Sequence, residues 1–165
     1  NCNMTSYLYP GCGYGGYCLP KDTNALLAQS KAKGFEPQIL KNVIATNDKR
    51  PAIIAKKILK GLDKKAAIGI LGLSFKPNSD DVRDTPAFHI IKEILTAGYK
   101  NIFAYDPIAN ENFIKSYPEL PIKILKTARE VYAASKVVAI VTAWNEFKEA
   151  PTFGDKKIID CRYML

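Results

Sequence analysis

Hydrophobic positions fall along the chain in three textures. Residues 1–19 mix Tyr and Gly without a period, which predicts a loop. Residues 20–62 recur at helical spacing. Pro20 suits a first helical turn, Ala25, Leu26 and Leu27 continue it, and Gly34 ends it. A second helical run starts near Pro37 and carries Ile39, Leu40, Val43, Ile44, Ile53, Ile54, Ile58 and Leu59. Pro51 interrupts this run, so a kink or a split is expected near Arg50. The run should end around 62–63, with Gly61 too early to be its stop.

From Lys64 onward strands alternate with helices. Residues 66–75 (AAIGILGLSF) form one apolar run, as in a strand buried on both faces. Asp84 or Thr85 can cap a helix through Ala97 whose apolar side is Phe88, Ile90, Ile91, Ile94 and Leu95. Strands follow at 101–105, 122–125, 137–141 and 157–160, with helices at 110–116 and 127–134. Buried strands alternating with helices imply an α/β fold with a parallel, doubly wound sheet. The expected organisation is a helical segment over 1–63 followed by a Rossmann-like domain over 64–165.

Composition narrows the class. With 47% apolar and 24% charged residues the chain is globular rather than disordered. At 165 residues it can bury roughly 70% of the surface its unfolded form exposes, so it needs no staples. No apolar run approaches the ~20 residues that span a bilayer. No basic-then-apolar leader marks secretion, so the cytoplasm is the expected compartment. The chain opens on Asn1 rather than Met, as a portion of a longer protein would.

Lys and Arg outnumber Asp and Glu by 24 to 16, giving a formal charge of +8. The cations are mostly Lys, scattered and in short doublets, and no Arg-rich stripe interleaved with aromatics is present. That pattern argues against nucleic acid. A small phosphorylated ligand needs only two or three placed cations and fits better.

Four cysteines, Cys2, Cys12, Cys18 and Cys161, form no C-x-x-C pair, and His89 is the single histidine. No metal site is expected from such a set. Gly11, Gly13 and Gly16 satisfy G-x-G-x-x-G, but no apolar strand precedes them and no acidic residue closes a βαβ unit, so the run is not a dinucleotide fingerprint. It does offer a loop whose backbone can approach a ligand closely. Cys18 follows this loop just ahead of a helix start, where positive potential and Lys21 favour the thiolate. The alternative is a buried, inert cysteine. Asp22, one turn on, is either an N-terminal cap or a group that orients water beside the sulfur.

Two longer stretches carry a resemblance. GYGGYCLPKDT (13–23) is similar to the catalytic-cysteine motif of the UDP-glucose/GDP-mannose dehydrogenase family. GLSFKPNSDDVRDTP (72–86) resembles that family's signature at the start of its C-terminal nucleotide-sugar domain. The order and spacing match along the whole chain.

The resemblance implies two successive NAD-dependent oxidations at C6 of a nucleotide sugar, with UDP-glucose giving UDP-glucuronate. It gives Cys18 the role of nucleophile towards the aldehyde and Asp22 that of assisting proton transfer and water. Tyr14, Gly15, Phe75, Lys76 and, by a looser match, Arg162 would contact the UDP-sugar, and Arg83 would reach the NAD. It also implies a homodimer through the central helix; the apolar pattern and the scattered cations leave no membrane or nucleic-acid partner expected.

The family's NAD-binding domain, with its catalytic Lys and Asn, has no counterpart in these residues. NAD would therefore be bound mainly outside them, and the chain alone is expected to be inactive. An upstream family arginine is also unmatched where Asn1, Cys2 and Asn3 stand. Pro51 falls in a helix that is usually unbroken. UDP-N-acetylmannosamine or GDP-mannose oxidation and a non-catalytic nucleotide-binding dimer module are the alternative readings; Tyr17 and Leu19 lean towards UDP-glucose. Asp80 and Asp81 suggest capping rather than metal binding, His89 carries no assigned chemistry, and Trp144 is a candidate lining of the nucleotide cleft.

Overall fold

The computed structural model describes residues 11–165, so the readings for Asn1, Cys2 and Asn3 lie outside the described residues. Helix α1 spans Cys18–Ala32 and α2 spans Gln38–Leu59. Helix α1 starts two residues before the expected Pro20, which makes Cys18 its first residue. Pro20 is tolerated there because the first four N–H groups of a helix lack intrahelical acceptors anyway. Gly34, in the left-handed region at φ 79°, follows its end.

Pro51 does not split α2, which continues through it for 22 residues. The proline removes one N–H from the ladder, but both flanks are fixed from outside. Asn47 and Arg50 bond to the preceding loop. Ile54, Ala55 and Ile58 are buried, and α2 packs against α3 (Pro86–Thr96). Tertiary packing outweighs the local penalty, which is about 3 kcal/mol. The helix stops at Leu59, earlier than the spacing suggested, and Gly61 at φ 77° makes the turn after all.

The remaining elements are β1 (Ile68–Leu71), β2 (Ile102–Tyr105), α4 (Asn110–Ser116), β3 (Lys123–Ile124), α5 (Ala128–Ala134), β4 (Val137–Ile140) and β5 (Lys157–Asp160). The five strands form one parallel sheet in the order β3-β2-β1-β4-β5. This is the doubly wound, Rossmann-like arrangement that the alternation predicts. Leu71 pairs with both Tyr105 and Ile140, and Ile140 with Asp160, so four strands end level. Whatever follows them shares one edge, the edge at which α/β sheets bind ligands.

One face of the sheet, with Ile68 and Ile70, packs under α2, α3 and α4 in a cluster that includes Ile58, Ile90, Ile94 and Phe113. The other, with Leu71, Val138 and Ile140, packs on α5 and a 3₁₀ segment, Asn145–Phe153, through Val131 and Phe147. The polar, proline-bearing sequence of that segment hid it; the buried Phe147 and Ala150 hold it in place. The apolar run over 66–75 yields a strand only to Leu71. Gly72 leaves the strand at φ 94°, where an added Cβ would lie 2.4 Å from Cβ of Thr142.

Helix α1 buries none of its residues. On α2 Ile39 is 84% exposed, with Val43 and Ile53 about half exposed. No helix among the described residues is long and apolar enough to cross a membrane.

Candidate active site

The loop that carries Cys18 is seated by three separate parts of the chain. From α2, Asn47 grips Tyr14 at both ends: the Tyr14 N–H donates to Asn47 Oδ1 (2.7 Å) and Asn47 Nδ2 donates to the Tyr14 carbonyl (3.1 Å). Arg50 Nε donates to the Gly11 carbonyl at 2.7 Å. From the β1–α3 connection, the Arg83 carbonyl accepts from the Gly16 N–H at 2.9 Å. The Phe75 ring lies where a side chain on Gly16 would begin, 2.9 Å from an added Cβ. From the end of β5, Arg162 Nη1 stands 2.7 Å from where a Cβ on Gly11 would be. Gly15 is the tightest point, since a Cβ there would lie 2.0 Å from the Asp84 carbonyl oxygen.

These contacts explain the glycine run. Its glycines are needed because backbone meets backbone and ring, not because amides cradle a phosphate. The Tyr14 and Gly16 amides are already taken.

Cys18 is exposed. Beside it, the Arg83 guanidinium sits over the Tyr17 ring, 4.8 Å from its centre, and Lys21 Nζ lies 5.4 Å from the same centre. Both cations thus stand on the Tyr17 ring, next in the chain to Cys18. Arg83 is held by Asp81 through Nε (3.0 Å) and Nη2 (2.6 Å). That pairing holds the Asp81 carboxyl below the usual carboxylate range and pushes the guanidinium higher still. Asp22 is exposed and paired with Lys21 Nζ at 2.5 Å. It is neither a helix cap nor bonded to the sulfur.

Phe75 is half-buried and Lys76 exposed, with Lys76 Nζ 5.4 Å from the Phe75 ring centre. Gly15, Phe75, Arg83 and Arg162 thus converge on the cysteine loop, whereas Lys76 and Asp22 stand free of it.

Asp80 and Asp81 point to different partners, Asn112 and Arg83. Among the described residues no group of three His, Cys, Asp or Glu side chains could hold a metal ion. Thr85, not Asp84, caps α3, and Asp84 Oδ1 instead meets His89 Nε2 at 2.6 Å. Cys12 is buried, its Sγ 3.9 Å from the Cys161 carbonyl oxygen. A hydrogen bond with the Cys161 side chain, together with burial, pushes the Cys12 thiol up.

Trp144 does not line an open cleft. It is 8% exposed and its Nε1 donates to Asp106 Oδ2 (3.0 Å) and Ser74 Oγ (3.3 Å) beneath the strand tips. Burial of the indole required an acceptor, and a buried carboxylate supplies it. Sequence reasoning missed three residues that build this site. The helical spacing gave Asn47 and Arg50 no role in a site, and Asp106 with Pro107 read only as the end of a strand. The one available signal was that Asp106 directly follows a strand at the carboxyl edge.

The chain is similar in sequence and fold to known proteins. UDP-glucose 6-dehydrogenase AglM of Haloferax volcanii is 34% identical over 166 residues, covering 98% of this chain but 38% of that protein. The structure of a UDP-glucose dehydrogenase from Pyrobaculum islandicum matches 93% of this chain and 35% of its own, with a TM-score of 0.81 and 31% identity. That of a GDP-mannose dehydrogenase from Pseudomonas aeruginosa matches 94% and 37%, with a TM-score of 0.82 and 26% identity. The chain therefore spans little more than a third of the length of the relatives it matches. Residues 2–49 match the central domain, and 69–165 the UDP-binding domain, of a single family. With both motifs in contact and both domains matched in order, the chain belongs to the UDP-glucose/GDP-mannose dehydrogenase family.

Proposed function

We propose that this chain is the cysteine-bearing and UDP-sugar-binding part of an NAD-dependent UDP-glucose 6-dehydrogenase, which converts UDP-glucose to UDP-glucuronate. Residues 1–63 form the catalytic loop and dimer segment, and 64–165 the UDP-sugar domain. The observation that carries the reading is the contact between two motifs some sixty residues apart. The loop of the exposed Cys18 rests on Phe75 and Arg83 at the carboxyl edge of the sheet.

In this reading the sugar's C6 projects towards Cys18. The Cys18 thiolate adds to the C6 aldehyde, forming a C–S bond and an alkoxide that takes a proton. Only this tetrahedral adduct gives the aldehyde carbon a hydride to lose. Loss of that hydride leaves a thioester, and water then cleaves the C–S bond to give the carboxylate and the free thiol. NAD, when bound, accepts the hydride in each oxidation. Asp22 releases Lys21 to orient and deprotonate the water; Arg83 and Lys21 offset the developing oxyanion.

Tyr14, Gly15, Phe75, Lys76 and Arg162 contact the nucleotide sugar. Arg83, exposed beside the sulfur, is the chain's contact to the NAD phosphates, and parts of the protein outside this chain hold the rest of the cofactor. The exposed apolar side chains of α1 and α2, Leu26, Ile39, Val43 and Ile53, support a homodimer through these helices.

The test is NADH production from UDP-glucose by the full-length protein, with and without Cys18→Ser. Wild type should release about two NADH per UDP-glucose, and the variant should lose the second oxidation. Undiminished acid formation by Cys18→Ser would remove the thiol from the mechanism. Preference for GDP-mannose or UDP-N-acetylmannosamine in the same assay would move the chain to another branch of the family.

A further inference from the structure

Asp106, immediately after β2, is fully buried, and its carboxylate accepts six hydrogen bonds. Oδ2 takes four: Leu73 N–H (2.8 Å), Ser74 N–H (3.1 Å), Ser74 Oγ (3.0 Å) and Trp144 Nε1 (3.0 Å). Oδ1 takes the N–H groups of Ile108 (3.1 Å) and Ala109 (2.9 Å). No other acceptor group fits this set. An amide presents one oxygen and would oppose N–H to N–H on its other side. The density of donors on one oxygen exceeds what a turn requires, and four of the six come from outside Asp106's own turn.

Those four donors lie on Leu73, Ser74 and Trp144, where the chain leaves the two central strands. From the far side, Thr142 Oγ1 donates to the Ser74 carbonyl at 2.6 Å. Ser74 is thus gripped at its N–H, its hydroxyl and its carbonyl. The next two residues are Phe75 and Lys76. The crossing of the chain between β1 and β4 is the point in the strand order where such sheets take ligands.

We propose that Asp106 is a positioning residue for the nucleotide-sugar site. Its carboxylate fixes the 73–76 tip in the shape that presents Phe75 to the cysteine loop and Lys76 to the ligand. This rests on the functional reading above. Asp106 touches neither substrate nor cofactor; it acts through Ser74.

The experiment titrates UDP-glucose and UDP against full-length Asp106→Ala, Asp106→Asn and Ser74→Ala, and follows amide exchange over 73–76 without ligand. Ile94→Ala serves as a control, because Ile94 is fully buried on the inner face of α3, away from the hydrogen bonds of the tip. Losing the carboxylate with its charge-assisted bonds to the 73–74 tip should weaken UDP-glucose binding about 10- to 100-fold in Asp106→Ala. Asp106→Asn can turn its oxygen towards the four donors but opposes its NH2 to the Ile108 and Ala109 N–H groups, so it should recover only part of that loss. Ser74→Ala, which keeps the buried carboxylate and the fold, should lie between wild type and Asp106→Ala, so the test survives if the latter does not fold.

Exchange at the Leu73 and Ser74 amides should rise in step with the affinity loss. Ile94→Ala should lower the melting temperature and leave affinity unchanged. The proposal is overturned if tip exchange rises while affinity holds, or if Ile94→Ala weakens binding as much. A wild-type protein that binds neither UDP-glucose nor UDP overturns the functional reading itself, which is a different result from binding that survives in every variant.

Discussion

Replacing Gly15 by alanine isolates the contact on which the site depends. The new Cβ would lie 2.0 Å from the Asp84 carbonyl oxygen and 3.0 Å from the Asp84 carbonyl carbon and Pro86 Cδ. Real Cβ atoms essentially never come closer than 3.0 Å, so the loop must lift by about 1 Å or more from backbone that cannot swing aside. Lifting breaks the Gly16-to-Arg83 hydrogen bond of 2.9 Å, about 1 kcal/mol, and separates Gly16 from the Phe75 ring. With the strain included, undocking should be favoured by about 2–4 kcal/mol.

Gly34 provides the contrast. It has φ 79° and nothing within 4 Å of an added Cβ, so Gly34→Ala carries only a left-handed backbone cost of about 1–2 kcal/mol, far from the loop. Amide exchange at Gly16 reads the difference. Protection there should fall about 30- to 1,000-fold in Gly15→Ala, at about 1.4 kcal/mol per decade, while circular dichroism stays native. Gly34→Ala should leave it unchanged. Gly16 protection within about threefold of wild type in Gly15→Ala would falsify the docking argument.

Other consequences follow from the same geometry. Iodoacetamide with site mapping by mass spectrometry should modify Cys18 before Cys12 and Cys161, which stay unmodified until the fold opens, because among the described cysteines Cys18 is exposed and those two are buried; earlier labelling of Cys12 would contradict the packing. Pro51→Ala should stabilise the chain by about 1–2 kcal/mol, raising the melting temperature a few degrees, since it restores a ladder N–H with only modest packing lost. A lower melting temperature would mean that the pyrrolidine itself is essential packing. Asp81→Asn tests the Arg83 clamp by pH. Arg83 holds the folded Asp81 carboxyl below its unfolded value of about 3.9, so the stabilisation is present above that pH and is lost as pH falls through the folded value. The stability gap between wild type and variant should therefore be open at pH 6 and close in acid, as followed by urea unfolding; a gap independent of pH would exclude the ion pair as its cause.

The order of elements was legible because burial imposes a period. Helical spacing marked α2, and unbroken apolar runs marked β1 and β4, whose residues are buried on both faces of the sheet; α1, which buries nothing, was marked by Pro20 and Gly34 at its ends. The cysteine motif and the 72–86 motif were legible as words. Their contact was not, because it depends on Asn47 and Arg50 reaching back across more than thirty residues to grip Tyr14 and Gly11. Asp106 escaped for a similar reason. Its donors are mostly backbone amides, and every residue but proline carries one, so no pattern of side chains announces them. Pro51 misled because a local propensity of a few kcal/mol was weighed without the packing that overrides it. Local preference and periodicity thus determined which segments form and which side they bury. Only the folded chain decided which loop meets which strand tip, since those contacts join residues that share neither a helix nor a turn.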